Sequence, residues 1–134
     1  MEQQMDVRDV INEMRAVQQQ SKQFMERLTE HAQLSSNHVM LLMDLKLNGS
    51  MRITEISERF SITAGAATSM CDKLEQQQLV KRIREHQDRR VVQVALTEEG
   101  EKIIDLIFES LPAERLLEML RIFKQIRNLM STII

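Results

Sequence analysis

Apolar residues recur at helical spacing along most of this chain. Near the amino end they return every three or four positions with polar residues between them, which predicts one long helix over roughly residues 5–32. The next segment, residues 36–47, is apolar nearly all round, as expected of a helix at the centre of a core. The break at residues 34–36 offers a serine N-cap for this core helix, and residues 48–50 end it.

Two shorter segments in the middle of the chain predict a pair of helices joined by a tight turn. After a short extended piece at residues 51–53, Thr54 is placed to cap one helix and Thr63 to cap a second, over residues 64–77. This order is typical of a helix-turn-helix. The inward positions of the second helix are Ala67, Met70, Cys71 and Leu74.

The pattern then changes from helical spacing to strands. Residues 79–85 and 90–96 alternate or are rich in β-branched side chains, which predicts a hairpin with a polar tip. Thr97 opens a further helix with acids in its first turn, and Pro112 suits the first turn of a strongly apolar last helix. The predicted fold class is therefore mainly α with a small β-hairpin wing, a winged helix-turn-helix.

Composition supports a single folded domain over residues 1–134. The chain has 43% hydrophobic and 28% charged residues, with only three Gly, one Pro, and no Trp or Tyr, which disfavours all-β and parallel-sheet folds. The single cysteine and the absence of a basic-then-apolar leader in the first twenty residues indicate a cytoplasmic protein. Since no apolar run reaches the length of a transmembrane span, we expect no membrane association.

Positive charge is concentrated in the predicted hairpin, although the net charge of the chain is −2. Residues 50–93 hold eight basic and six acidic residues, whereas the segments on either side each hold five basic and seven acidic ones. Within the hairpin, residues 81–90 carry five basic side chains against Glu85 and Asp88. These basic residues are Lys81, Arg82, Arg84, Arg89 and Arg90.

A helix-turn-helix followed by a basic hairpin predicts binding to double-stranded DNA. The second helix would enter the major groove, where small residues at its start allow close approach and short polar side chains reach phosphates or base edges. An arginine at the hairpin tip suits the narrow minor groove, and Asp88 is placed to hold that arginine by its fork. The candidate DNA-binding residues are Gly65, Ala66, Thr68, Ser69, Lys73, Arg84, Asp88, Arg89 and Arg90.

The motifs also carry a family resemblance that covers nearly the whole chain. The order of a long helix, a core helix, the segment ISERFSITAGAATSMCDKLEQQQLVKRI, then DRR, then VALTEEG resembles the MarR (multiple antibiotic resistance regulator) family. The resemblance implies a homodimer joined by helices within residues 1–34 and 98–134, around a DNA-binding lobe at 35–97. It also implies a pseudo-palindromic operator and, in most members, release by a small effector.

The resemblance assigns roles to particular residues as well. Asp88 and Arg90 correspond to the family's wing motif, and the contacts of its recognition helix fall on Gly65, Ala66, Thr68 and Ser69. Two positions depart from the family pattern. Residue 69 is Ser where relatives often have Arg, and residue 78 is Gln where they often have Gly.

The predicted function is a homodimeric, sequence-specific transcriptional regulator, a repressor released by a small aromatic or apolar effector. Dimerisation follows from the residues too, because the two terminal helices carry more apolar residues than the rest of the fold can cover. The alternative is a winged-helix module that binds another protein and not DNA, which the acidity of the chain and Ser69 favour. We expect no enzymatic activity, cofactor or metal site. The effector pocket implied by the family is lined by Met14, Val17, Phe24, Met40, Met43 and Phe108.

Overall fold

The computed structural model describes residues 4–134 as six α-helices and one small antiparallel sheet. The sheet has the strand order β1-β3-β2, so the hairpin predicted from the sequence is joined by a third, short strand. The fold class is confirmed: mainly α, with a small β wing after a helix-turn-helix. The elements are α1 (Val7–Leu28), a 3-10 turn (Glu30–Ala32), α2 (Ser36–Asn48), β1 (Ser50–Arg52), α3 (Ile53–Phe60), α4 (Ala64–Gln76), β2 (Val80–Arg84), β3 (Val92–Leu96), α5 (Glu98–Glu109) and α6 (Ala113–Ser131).

Hydroxyl side chains cap the starts of three helices. The hydroxyl of Thr63 accepts a hydrogen bond from the N–H of Ala66 at 3.1 Å, and that of Thr97 accepts one from Gly100 at 3.1 Å. Ser35 caps α2 in the same way. Each cap satisfies a backbone donor that the first turn of a helix leaves free, which confirms these three predicted helix starts.

The predicted cap at Thr54 is wrong. Helix α3 begins at Ile53, and its N-cap residue is Arg52, whose backbone N–H donates to Oε1 of Glu55 at 3.2 Å. Because Glu55 reaches back to this donor, the first turn closes two residues earlier than the hydroxyl of Thr54 suggested.

Two further boundaries differ from the prediction. Helix α1 ends at Leu28, short of residue 32, and the 3-10 turn Glu30–Ala32 follows the buried Thr29. The hydroxyl of Thr29 donates to the carbonyl of Met25 at 2.8 Å, adding a side-chain bond at the helix end. At the other end of the chain, Pro112 is the N-cap residue of α6 and precedes its first turn.

The buried core lies in the middle of the chain and not in the terminal helices. It joins α2, α3, α4, the sheet and α5 through one cluster of apolar side chains. Within residues 7–28 and 113–131 no residue is buried, so the apolar residues of α1 and α6 remain at the surface. The fully buried side chains of largest volume are Leu41, Leu42, Leu45, Ile56, Leu74, Val39, Val94 and Cys71.

A tight turn connects α4 to β2 and is locked by α5. Gln78 has the left-handed backbone conformation, with φ 64°, and the N–H of Leu79 donates back to the carbonyl of Leu74 at 3.0 Å, as in a Schellman motif. The hydroxyl of Thr97 donates to the carbonyl of Gln78 at 2.6 Å. Gly100 lies against the same turn: a Cβ there would be 2.1 Å from the carbonyl oxygen of Leu79. The Leu-Thr-Glu-Glu-Gly segment therefore fixes the helix-to-wing turn.

Candidate nucleic-acid interface

Helix α4, the second helix of the helix-turn-helix, presents a polar face to solvent. Ala67, Cys71 and Leu74 are buried and hold the helix against the core. At Gly65 the nearest heavy atom to an added Cβ would be 4.0 Å away, so the space in front of the helix start is open. The residues predicted to contact DNA from this helix are all exposed: Gly65, Ala66, Thr68, Ser69 and Lys73.

The charge of Lys73 acts on a neighbouring helix. The pKa of His38, in the first turn of α2, is lowered by partial burial and then by the nearby Lys73. Both effects favour the neutral form of this imidazole.

The tip of the wing, residues 85–91, is organised around Asp88. Its carboxylate oxygen Oδ1 accepts hydrogen bonds from the backbone N–H of Arg90 at 3.0 Å and from Nε of Arg90 at 3.2 Å. These bonds lower the pKa of Asp88 from its ordinary value. The predicted pairing of Asp88 with a tip arginine is therefore present, and the partner is Arg90, whose side chain is 92% exposed.

Arg84, the last residue of β2, supports the tip from its exposed surface. Its Nη1 donates to the carbonyl oxygen of Arg89 at 2.8 Å, across the end of the hairpin. The sequence grouped Arg84 with the DNA-binding residues; the structure turns this guanidinium toward the tip backbone and leaves Arg89 exposed. The contact of any of these residues with DNA stays a prediction.

Next to the tip, the wing carries a hydrogen-bond network that the sequence did not reveal. Oε1 of Glu85 accepts from Nε2 of Gln93 at 2.6 Å and from Nη2 of Arg52 at 2.8 Å, and Ser50 bonds to Gln93. The bond from Gln93, followed by that from Arg52, lowers the pKa of Glu85. The network depends on the register of β1 against β3, which places Arg52 opposite Gln93. This register was not predicted from the sequence.

Arg82 points from the wing to helix α4. Its Nη2 donates to Oδ1 of Asp72 at 2.6 Å, and its Nη1 donates to Oε1 of Glu75 at 2.6 Å. The hydrogen bond with Asp72 is the main cause of a raised pKa of Arg82. In the sequence, Arg82 is one of the five basic residues of the hairpin, and the structure pairs it with two acids of α4.

The residues predicted to line an effector pocket do not come together within one chain. Val17 and Phe24 line a groove of about 620 Å³ between α1 and α6, where the rings of Phe24 and Phe123 meet edge to face at 5.5 Å. Met14 lines a separate, polar groove along α1. Phe108 packs against the core of the winged lobe, and Met40 and Met43 lie on α2.

The helix-turn-helix, the three-stranded sheet and the basic tip together define a winged helix-turn-helix fold. The MarR family model matches residues 34–92, which include the helix-turn-helix and most of the wing. The resemblance noted in the sequence is thus confirmed over residues 34–92, where the chain is similar to the MarR family.

Relatives and solved structures agree with this assignment. The chain is 40% identical over 77 residues to the HTH-type transcriptional repressor MdtR of Bacillus subtilis, covering 58% of this chain and 47% of MdtR. It is 30% identical over 90 residues to the HTH-type transcriptional regulator SarZ of Staphylococcus epidermidis, covering 65% of this chain and 61% of SarZ. The chain spans about half the length of the first curated relatives it matches.

Two solved structures show the same fold over most of the chain. The YusO protein of Bacillus subtilis has a TM-score of 0.61 and 26% identity, covering 91% of this chain and 94% of YusO. A mutant of MarR from E. coli complexed with operator DNA has a TM-score of 0.65 and 18% identity, covering 88% and 93% of the two chains. In the part of the chain that the structure describes, none of the helices combines the length and apolar character needed to cross a membrane.

Proposed function

We propose that the protein is a sequence-specific DNA-binding transcriptional regulator that acts as a homodimer. The observation that carries the proposal is the pairing of an open, small-residue helix start at Gly65 with an arginine-bearing wing tip in one lobe. The first suits close approach to the major groove, and the second suits the narrow minor groove beside it. The operator-bound state of the MarR structure supports the proposal.

The partner in the dimer is a second copy of this chain. Helices α1 and α6 leave apolar side chains at the surface, among them Val10 at 46% exposure, Phe123 at 45% and Ile126 at 50%. Apolar faces of this extent mark an interface, and a twofold dimer suits a pseudo-palindromic operator. The two α4 helices would then lie about 34–36 Å apart, one turn of the duplex.

Repression and release by a small effector complete the proposal. The name of MdtR as a repressor supports blocking of a promoter as the mode of action. The groove between α1 and α6 is lined mainly by apolar side chains and lies at the proposed dimer interface, so an aromatic or apolar effector bound there would alter the spacing of the two lobes. A thermal-shift screen of small aromatic acids tests this part; no shift with any of them would favour a repressor without an effector.

DNA binding is tested by fluorescence anisotropy with duplex DNA over a series of salt concentrations. The logarithm of affinity should fall linearly with the logarithm of salt, by about 0.9 for each phosphate neutralised. Arg90→Ala should lower affinity about tenfold or more at fixed salt, because each dimer loses two tip guanidinium groups. The control is Arg8→Ala, which removes the same charge from exposed α1, outside the predicted DNA-binding lobe.

Two results would contradict the proposal. A folded protein that binds no duplex at low salt would favour the protein-interaction module, and equal affinity of Arg90→Ala and wild type would remove Arg90 from the interface. Light scattering with gel shift tests the dimer, since a monomer with full affinity at nanomolar concentration is incompatible with it.

A further inference from the structure

The guanidinium of Arg82, on the first strand of the wing, is shared between two acids of the recognition helix α4. Its two terminal nitrogens each donate at 2.6 Å, one to Asp72 and one to Glu75. The side chain of Arg82 is only 30% exposed. Because these three residues together carry one net negative charge, Arg82 is poorly suited to bind a phosphate, and its charge serves inside the protein.

The two acids lie on the face of α4 that is predicted to meet DNA. Asp72 and Glu75 follow Thr68 by four and seven positions, so they stack below it on the same side of the helix. They are displaced along the axis by about 6 Å and about 10 Å. Arg82 therefore binds the carboxyl-terminal half of this face of α4, and the predicted DNA contacts lie on the amino-terminal half of the same face.

The covalent link between α4 and the wing is short and turns sharply. Residues 77–79 are all that separate the helix from β2, and Gln78 has a positive φ. This turn fixes where the strand begins, and the two ion pairs add a second attachment from further along β2. Two attachments at different points restrict rotation of the wing about the turn.

We propose that Arg82 is a positioning residue, which holds the wing and the recognition helix at the angle at which both fit one DNA site. The inference rests on the proposed DNA-binding function. A fixed angle between the wing and the helix raises the affinity for a specific site, whereas non-specific binding needs only positive charge. The quantity to measure is therefore the ratio of specific to non-specific affinity.

The probes are a duplex selected by the wild-type protein from a random-sequence pool, and the unselected pool itself. Arg82→Lys keeps the charge but not the planar fork, and Asp72→Asn with Glu75→Gln removes both acceptors while adding positive charge. Both variants should lower the ratio of specific to non-specific affinity. For the double variant the expected decrease is about fivefold, which corresponds to the upper end of the range measured for exposed ion pairs. The control is Lys81→Gln, which changes the charge of the exposed neighbouring residue and should shift both affinities together.

An unchanged ratio in both Arg82→Lys and the double variant overturns the inference. Hydrogen exchange of the free protein provides a measurement that does not depend on DNA. Amides of β2 and β3 should exchange faster in the two variants than in wild type or Lys81→Gln, while α2 stays protected. If selection returns no preferred duplex, the proposed function fails, and unchanged exchange would then overturn the positioning role separately.

Discussion

Gly100 is a position at which one added methyl group should disrupt the joint between the winged lobe and α5. A Cβ at this residue would lie 2.1 Å from the carbonyl oxygen of Leu79 and 3.1 Å from Cδ2 of Leu96. The carbonyl of Leu79 has little freedom to retreat, because it also accepts the N–H of Thr97 at 3.1 Å. The two backbone segments would have to move apart by more than 1 Å before this distance reached the 3.4 Å of an ordinary contact.

The expected cost of Gly100→Ala follows from these contacts. Overpacking of a tightly fitted site costs about 1–3 kcal/mol, and weakening of the Thr97 cap adds about 1 kcal/mol. The better helix propensity of Ala returns at most about 1 kcal/mol. The free energy of unfolding should therefore fall by about 1–3 kcal/mol, a substantial part of the roughly 5–15 kcal/mol typical of a domain.

Urea unfolding followed by circular dichroism measures this change, with all variants at one protein concentration because a dimer is stabilised by mass action. The matched control is Gly65→Ala, also in the first turn of a helix, where the nearest atom to the new Cβ is 4.0 Å away. It should leave stability unchanged or raise it by up to about 1 kcal/mol. A Gly100→Ala protein within about 0.5 kcal/mol of wild type would refute the reasoning.

Three further predictions concern single residues. Gln78→Gly should raise the free energy of unfolding by about 1 kcal/mol in the same assay, because Gly adopts the left-handed conformation without strain; Gln77→Gly, at a φ of −82°, should not. Burial raises the pKa of the Cys71 thiol to about 11, so a thiol reagent at pH 8 should label the native protein far more slowly than the urea-unfolded one, and equal rates would exclude a buried thiol. Arg90→Ala should raise the pKa of Asp88 toward its ordinary value in an NMR titration. Since folding lowers this pKa, the pairing stabilises the folded state at pH values above the ordinary pKa of Asp. That stabilisation is lost as the pH falls through the lowered pKa of the folded state. An Asp88 pKa that does not change in this variant would contradict the pairing.

Local signals in the sequence were enough for most of the fold. The hydroxyls of Thr63 and Thr97 stand directly before apolar helical patterns, and both act as the predicted caps. The expected cap at Thr54 failed because a competing contact, from Glu55 to the N–H of Arg52, starts the helix earlier. Such contacts depend on a side-chain rotamer and not on residue type alone, so the pattern of types does not reveal them.

Contacts between distant parts of the chain were beyond local signals. The short strand β1 pairs with β3 more than 40 residues later, as in the Ser50 to Ala95 register, and this pairing creates the Glu85 network next to the tip of the wing. A three-residue strand has almost no periodicity of its own. Its existence depends on the partner strand, which only the folded chain places beside it.

The basic hairpin shows how a charge count and a charge distribution differ. By composition, residues 81–90 offer five positive side chains. In the structure, Arg82 is paired with two acids of α4, Arg84 bonds to the tip backbone and Arg90 is oriented by Asp88. The basic residues therefore have two roles. Arg82 and Arg84 stabilise the wing, whereas Arg89 and Arg90 remain exposed at the tip and are available to a polyanion. In a salt titration of DNA affinity, the wing should accordingly account for fewer released counterions than the five that composition suggests. A slope of log affinity against log salt that requires five counterions from each wing would contradict the internal pairing.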